Sequence, residues 1–128
     1  MDNIKIEATE RSPEIDFDFN SSRFAIRGES YPEDVSEFYG DVIDQFDGFV
    51  SSLEKAEVTF DFELIYFNSS TAKVLMGLFD QLDKVAGNGN KVVINWRYEE
   101  DDDNMEELGE EFGEDLVHAK FNLLPKAV

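Results

Sequence analysis

The chain has 128 residues and carries 30 Asp+Glu against 11 Lys+Arg, a formal net charge of −19. Leu, Ile, Val and Phe together number 38, well above the disordered range, so the chain folds as one domain that buries roughly two-thirds of its unfolded surface. The charge argues against nucleic acid and against anionic membrane surfaces, because every phosphate would be approached against repulsion.

Ile4-Lys5-Ile6 is a short strand candidate, and Ile15-Asp16-Phe17-Asp18-Phe19 alternates apolar and acidic side chains. Asn20-Ser21-Ser22 supplies turn chemistry before Phe24-Ala25-Ile26 resumes the strand pattern up to Gly28, so the two runs form a β-hairpin with Pro13 just ahead of it. A long amphipathic helix follows, spelled by Val35, Phe38, Tyr39, Val42, Ile43, Phe46, Phe49, Val50 and Leu53 at steps of three and four. Pro32 suits its first turn, with Ser30 or Tyr31 leading in and Glu33 and Asp34 near the positive helix end.

Val58 to Phe67 alternates at first and becomes apolar on both sides, which predicts a strand whose far end runs into the protein's centre. Asn68-Ser69-Ser70-Thr71 breaks that pattern, and a second helix carries Val74, Leu75, Leu78, Phe79, Leu82, Val85 and Ala86 as far as Gly87. Lys91 to Tyr98 reads as a strand. Met105, Leu108 and Phe112 mark a third helix capped by Asp102 or Asp103, and Phe121-Asn122-Leu123 a last short strand. Alternating strands and helices predict an open α/β sandwich: one mixed sheet, hairpin first, then right-handed parallel crossovers, packed by about three helices.

Catalytic constellations do not emerge. Cysteine is absent, His118 is the lone histidine with no recognisable partner, and no nucleophile elbow, Walker loop or zinc-binding helix motif occurs. Gly87-Asn88-Gly89-Asn90 lacks the Lys-Ser/Thr of a phosphate loop and is explained by a helix stop and turn. Residues 99–115 hold eleven acids and no base, but the spacing fails the calcium-loop pattern, leaving a solvated acidic helix or a docking face for a basic partner. No enzyme, metal or cofactor is expected. No signal peptide and no membrane-length apolar run is visible, so a cytoplasmic protein is expected.

The segment out of character is Tyr66-Phe67-Asn68-Ser69-Ser70-Thr71-Ala72-Lys73. From Leu64 to Phe79 there is no acid, the longest such interval in the chain. A helix cap needs one hydroxyl, whereas this turn offers three in succession, with Lys73 near where a capping-box acid would stand. Strand-to-helix turns at the carboxyl edge of α/β sheets are where such folds place functional groups, and helix N–H groups together with Lys73 favour an added dianion. A phosphorylation site at one of the three hydroxyls is therefore expected, against the plainer reading of a capping turn.

Gly28-Glu29-Ser30-Tyr31-Pro32-Glu33, Tyr66-Phe67-Asn68-Ser69-Ser70 leading into Lys73-Val74-Leu75-Met76, and Asn95-Trp96-Arg97-Tyr98 with Asp101-Asp102-Asp103 and Glu107-Leu108-Gly109-Glu110-Glu111 resemble, in order, the SiaC family of bacterial regulatory phosphoproteins. The resemblance implies a STAS-like fold similar to anti-sigma-factor antagonists, and a partner-switching role. It implies phosphorylation by a dedicated Ser/Thr protein kinase, reversal by a PP2C-type phosphatase, and an unphosphorylated form that activates a diguanylate cyclase in cyclic-di-GMP signalling and biofilm regulation. Carried over by motif, the acceptor is the residue after Asn68, which is Ser69 where some members have Thr; Ser70 and Thr71 remain alternates. The implied partner surface is Ser30, Tyr31, Pro32, Asn68, Ser69, Ser70 and Lys73. Two other functions fit the residues: an anti-sigma-factor antagonist, and an acidic docking module working through 99–115 without phosphoswitching.

Overall fold

The computed structural model describes residues 2–127. Its elements in chain order are β1 (Ile4–Ile6), β2 (Glu14–Asp18), β3 (Arg23–Ser30), α1 (Val35–Val50), β4 (Glu57–Phe67), α2 (Ser69–Gly87), β5 (Lys91–Glu99), α3 (Asp103–Glu114) and β6 (Lys120–Lys126). The six strands lie in one sheet in sequence order. β1, β2 and β3 pair antiparallel, and β3 to β6 pair parallel, each parallel step crossing over through one helix.

Period-two alternation decides which sheet face is covered. Phe17, Phe24, Ile26, Phe60, Phe62, Ile94 and Trp96 are buried and form one core with Phe46 of α1 and Leu75, Phe79 and Leu82 of α2. Phe17, Phe24, Phe46 and Phe60 meet mostly edge-on at centroid separations of 5.0–5.9 Å. The alternate strand positions carry a polar layer: Asn122 donates to Asn95 (3.0 Å), Asn95 to Asp61 (2.8 Å), and Arg27 pairs with Glu14 (2.9 Å). That layer lets the second sheet face meet water.

α3 closes the far end of the core. Its Asp102 cap accepts from the Met105 N–H, and Trp96 Nε1 donates to the Met105 carbonyl at 3.0 Å. Gly109 permits this approach, since a Cβ there would lie 2.5 Å from Trp96 Cδ1.

Three expectations change. The first helix begins at Val35, not at Pro32: Asp34 is its cap, accepting from the Glu37 N–H, while Ser30 still belongs to β3. The β4 end does not enter the centre; Ile65 and Tyr66 are 59% and 52% exposed, because the sheet register shifts between Gly28 and Glu29 and β4 reaches its rim there. The last strand is longer than Phe121–Leu123, since β5 offers partners from Val93 to Glu99.

Candidate functional site

The corner between β4 and α2 is built by side-chain capping. Asn68 is the cap, its Oδ1 accepting from the Thr71 N–H at 2.9 Å, so none of the three hydroxyls performs that task. Asn68 N–H also donates to the Ser30 carbonyl at 3.1 Å, tying the corner to the end of β3.

Behind the corner lies a sealed hydroxyl cluster. Thr71 Oγ1 donates to the Ser30 carbonyl (3.0 Å) and sits 2.9 Å from Ser30 Oγ, which is 2.6 Å from the Tyr39 hydroxyl. Ser30 and Thr71 are fully buried. Burial pushes the Tyr39 phenol up to about 12, the Ser30 hydrogen bond only partly opposing it, so Tyr39 is a neutral hydrogen-bonding group at physiological pH. Three elements, β3, α1 and α2, are thereby pinned at one point.

The expected site residues separate accordingly. Ser69, Ser70 and Lys73 are exposed; Tyr31, Pro32 and Asn68 are half-buried. Thr71, an alternate acceptor by sequence, has its hydroxyl locked inside. Ser30, expected on a partner surface, is an internal brace. Both corrections have one cause: burying a hydroxyl requires partners, and these two residues supply each other's. The Tyr31 and Tyr66 rings meet edge-on at 5.8 Å beside the corner, and Met76, 58% exposed, lies further along the same side of α2.

No hydrogen bond holds the Ser69 or Ser70 hydroxyl among the described residues, and neither has a histidine or carboxylate poised as a base. Such a hydroxyl is not an activated nucleophile, and both are open to solvent. His118 lies elsewhere, exposed, with its ring against Gly87. Its backbone N–H, with those of Val117 and Ala119, donates to Asp83 Oδ1 at 2.8–3.1 Å. Burial works to raise the Asp83 carboxyl, and the three N–H groups outweigh it, holding the group below the usual carboxylate range.

Sequence reasoning missed the Tyr39 and Asp83 contributions. A tyrosine on an apolar stripe signals a buried hydroxyl in need of a partner, but its partner comes from another element. Asp83 gave no signal, since its donors lie in the loop after α3. No helix among the described residues is long and apolar enough to cross a membrane.

Known proteins share this architecture. A protein of Pseudomonas aeruginosa (strain UCBPP-PA14), described as uncharacterized, is 33% identical over 115 residues, 90% of each chain. The crystal structure of apo-SiaC from Pseudomonas aeruginosa superposes with a TM-score of 0.87 at 33% identity, covering 97% of this chain and 99% of that one. SiaC from the crystal structure of the diguanylate cyclase SiaD in complex with its activator SiaC, also from Pseudomonas aeruginosa, gives 0.86 at 30% identity over 94% and 98% of the two chains. With the SiaC family regulatory phosphoprotein model matching residues 6–126 as well, this chain belongs to the SiaC family of regulatory phosphoproteins.

Proposed function

We propose that this chain is a phosphorylation-controlled partner switch that acts at the β4–α2 corner, with Ser69 as acceptor. The observation that carries the reading is the separation of the hydroxyls: Ser69 is exposed next to its motif neighbour Asn68, while Thr71 is sealed. Ser70, also exposed, is the remaining alternate.

A Ser/Thr protein kinase transfers the γ-phosphoryl group of ATP to Ser69 Oγ. The new O–P bond forms as the bond to the β-phosphate oxygen breaks, the hydroxyl proton passes to the kinase's base, and ADP leaves. A PP2C-type phosphatase reverses the change with water, releasing inorganic phosphate and restoring the hydroxyl. The unphosphorylated chain binds and activates a diguanylate cyclase in the cytoplasm, a reading supported by the related SiaC found with SiaD. Tyr31, Pro32, Asn68, Ser70 and Lys73 border the contact. The chain has no turnover of its own.

Reconstitution with the kinase, phosphatase and cyclase of the same genome tests this. Mass spectrometry should place the phosphate on Ser69, cyclase output should fall on phosphorylation, and phosphatase should restore it. Modification confined to another residue, or a cyclase indifferent to the chain, overturns the proposal.

One observation favours a second surface: α3 carries six acids and no base, with Glu107, Glu110, Glu111 and Glu114 exposed on it. Partner binding that tolerates Ser69→Glu yet collapses in salt would assign recognition to that helix.

A further inference from the structure

We propose that Lys73 is the group through which phosphate at Ser69 acts: left free, it receives a carboxylate of the target protein, and once Ser69 carries phosphate the two pair within α2 and the target loses that contact. This rests on reading Ser69 as the acceptor.

The geometry is that of neighbouring side chains on one helix. Ser69 and Lys73 are both exposed and stand four residues apart in α2, which puts their Cβ atoms about 6 Å apart. An anion four residues ahead of a cation is the favourable order on a helix. A phosphoryl group brings about −1.5 to −2 charges to the first residue of α2, within reach of the lysine's flexible stem.

Lys73 is also unemployed. Lys5, Arg11, Arg27, Lys84, Arg97 and Lys126 stand in ion pairs; Lys73 has none among the described residues, as is also true of Arg23, Lys55, Lys91 and Lys120, but it alone is the base of the acid-free interval. No acid occurs between Leu64 and Phe79 to neutralise it. The helix dipole gives it no support either, because the N-terminal end of a helix favours anions. A charge kept free at some cost, in a molecule where bases are scarce, is available to an incoming group.

Its surroundings describe the partner. Tyr66 and Met76, each more than half exposed, lie on either side of Lys73 in sequence, with Met76 about 5 Å further along the helix axis. Exposed apolar side chains flanking one cation in a stretch without acids fit a segment presenting an apolar side chain and a carboxylate. Elsewhere the net charge of −19 repels an acidic segment, so this patch also selects where such a segment can land.

The test installs phosphoserine at position 69 of the full chain by genetic-code expansion, with Lys73 unchanged, K73Q or K73R. Titration followed by phosphorus NMR should give a phosphate whose second pKa is higher in K73Q by about 0.15–0.4, the strength of one i,i+4 pair for the one charge gained on that ionisation. K73R should restore the parent value. Identical titrations in all three overturn the capture. Binding to the cyclase of the same genome gives the second arm: K73Q should weaken the unmodified chain about 10-fold. Phosphate should then cost K73Q correspondingly less than it costs the parent. Equal losses in the two backgrounds overturn the role of Lys73. Failure of the kinase to modify Ser69 overturns the switch at this corner while leaving the NMR result intact, so the two failures are distinguishable.

Discussion

Replacing Thr71 by valine keeps the side chain's shape and removes its hydroxyl, which separates structure from signalling at the corner. Thr71 Oγ1 donates to the Ser30 carbonyl at 3.0 Å and lies 2.9 Å from Ser30 Oγ. With its single proton on the Ser30 carbonyl, Thr71 Oγ1 accepts from Ser30 Oγ; after the change Ser30 Oγ keeps the Tyr39 hydroxyl as partner and the Ser30 carbonyl keeps the Asn68 N–H. The cost is therefore that of two hydrogen bonds with remaining partners, about 1–2 kcal/mol. At about 2.1 cal/mol/K of unfolding entropy per residue, this lowers Tm by about 4–7 °C. Ser69→Ala touches an exposed side chain and should cost less than about 0.5 kcal/mol. Thermal melts and kinase assays on both variants form the experiment. Thr71→Val should melt early, exchange its α2 N-terminal amides faster, and still be phosphorylated; Ser69→Ala should melt normally and remain unmodified. A Thr71→Val protein that is stable but no longer accepts phosphate would refute the division drawn here between sealed and accessible hydroxyls.

Asp83→Ala should destabilise the chain by about 1–3 kcal/mol, since it strips the acceptor from three backbone N–H groups of the loop joining α3 to β6. Because the folded-state pKa of Asp83 lies below its ordinary 3.8, its stabilisation is present above that value and lost as pH falls through the depressed one. Denaturant titrations of parent and variant should therefore converge as pH drops below about 4; a gap that widens there contradicts the assignment. Gly109→Ala should cost about 1–3 kcal/mol and perturb the near-ultraviolet spectrum of Trp96, because the new methyl meets the indole at 2.5 Å. Gly40→Ala, with nothing within 4 Å, should instead stabilise α1 by up to about 1 kcal/mol, and the reverse order of the two would refute the packing described.

The elements were legible because each is long enough to state its period. α1, α2 and the alternation of β4 and β5 follow from apolar spacing alone, and the hairpin from two strand patterns around Asn20-Ser21-Ser22. Boundaries were harder where two mechanisms compete. Pro32 and Ser30 make an acceptable helix start, but Asp34 offers a carboxylate to the Glu37 N–H, and Ser30 is already committed to Tyr39 and Thr71 across 9 and 41 residues of chain. The β4 end misled for a related reason: Ile65-Tyr66-Phe67 is apolar on both sides whether it is buried or displayed. Composition does not distinguish a core from a docking surface.

The same limit explains what the site withheld. Three adjacent hydroxyls look alike in sequence, and their fates depend on helix phase. Asn68 caps α2, so Ser69 becomes its first residue and Thr71 its third; one then points to solvent and the other into the β3–α1 junction. That phase has a functional consequence. The corner is held by Asn68, Thr71, Ser30 and Tyr39, so under the proposal that Ser69 is the acceptor a phosphate there breaks none of these hydrogen bonds. On that proposal, modification changes charge and contact at the surface without unfastening the helix, and leaves the difference for a partner to read. Had Thr71 been the acceptor, phosphorylation would require breaking the cluster first, and stability would be coupled to signalling. With Ser69 as the proposed acceptor the two fall on different hydroxyls, and the proposed switch turns over without repeated local unfolding.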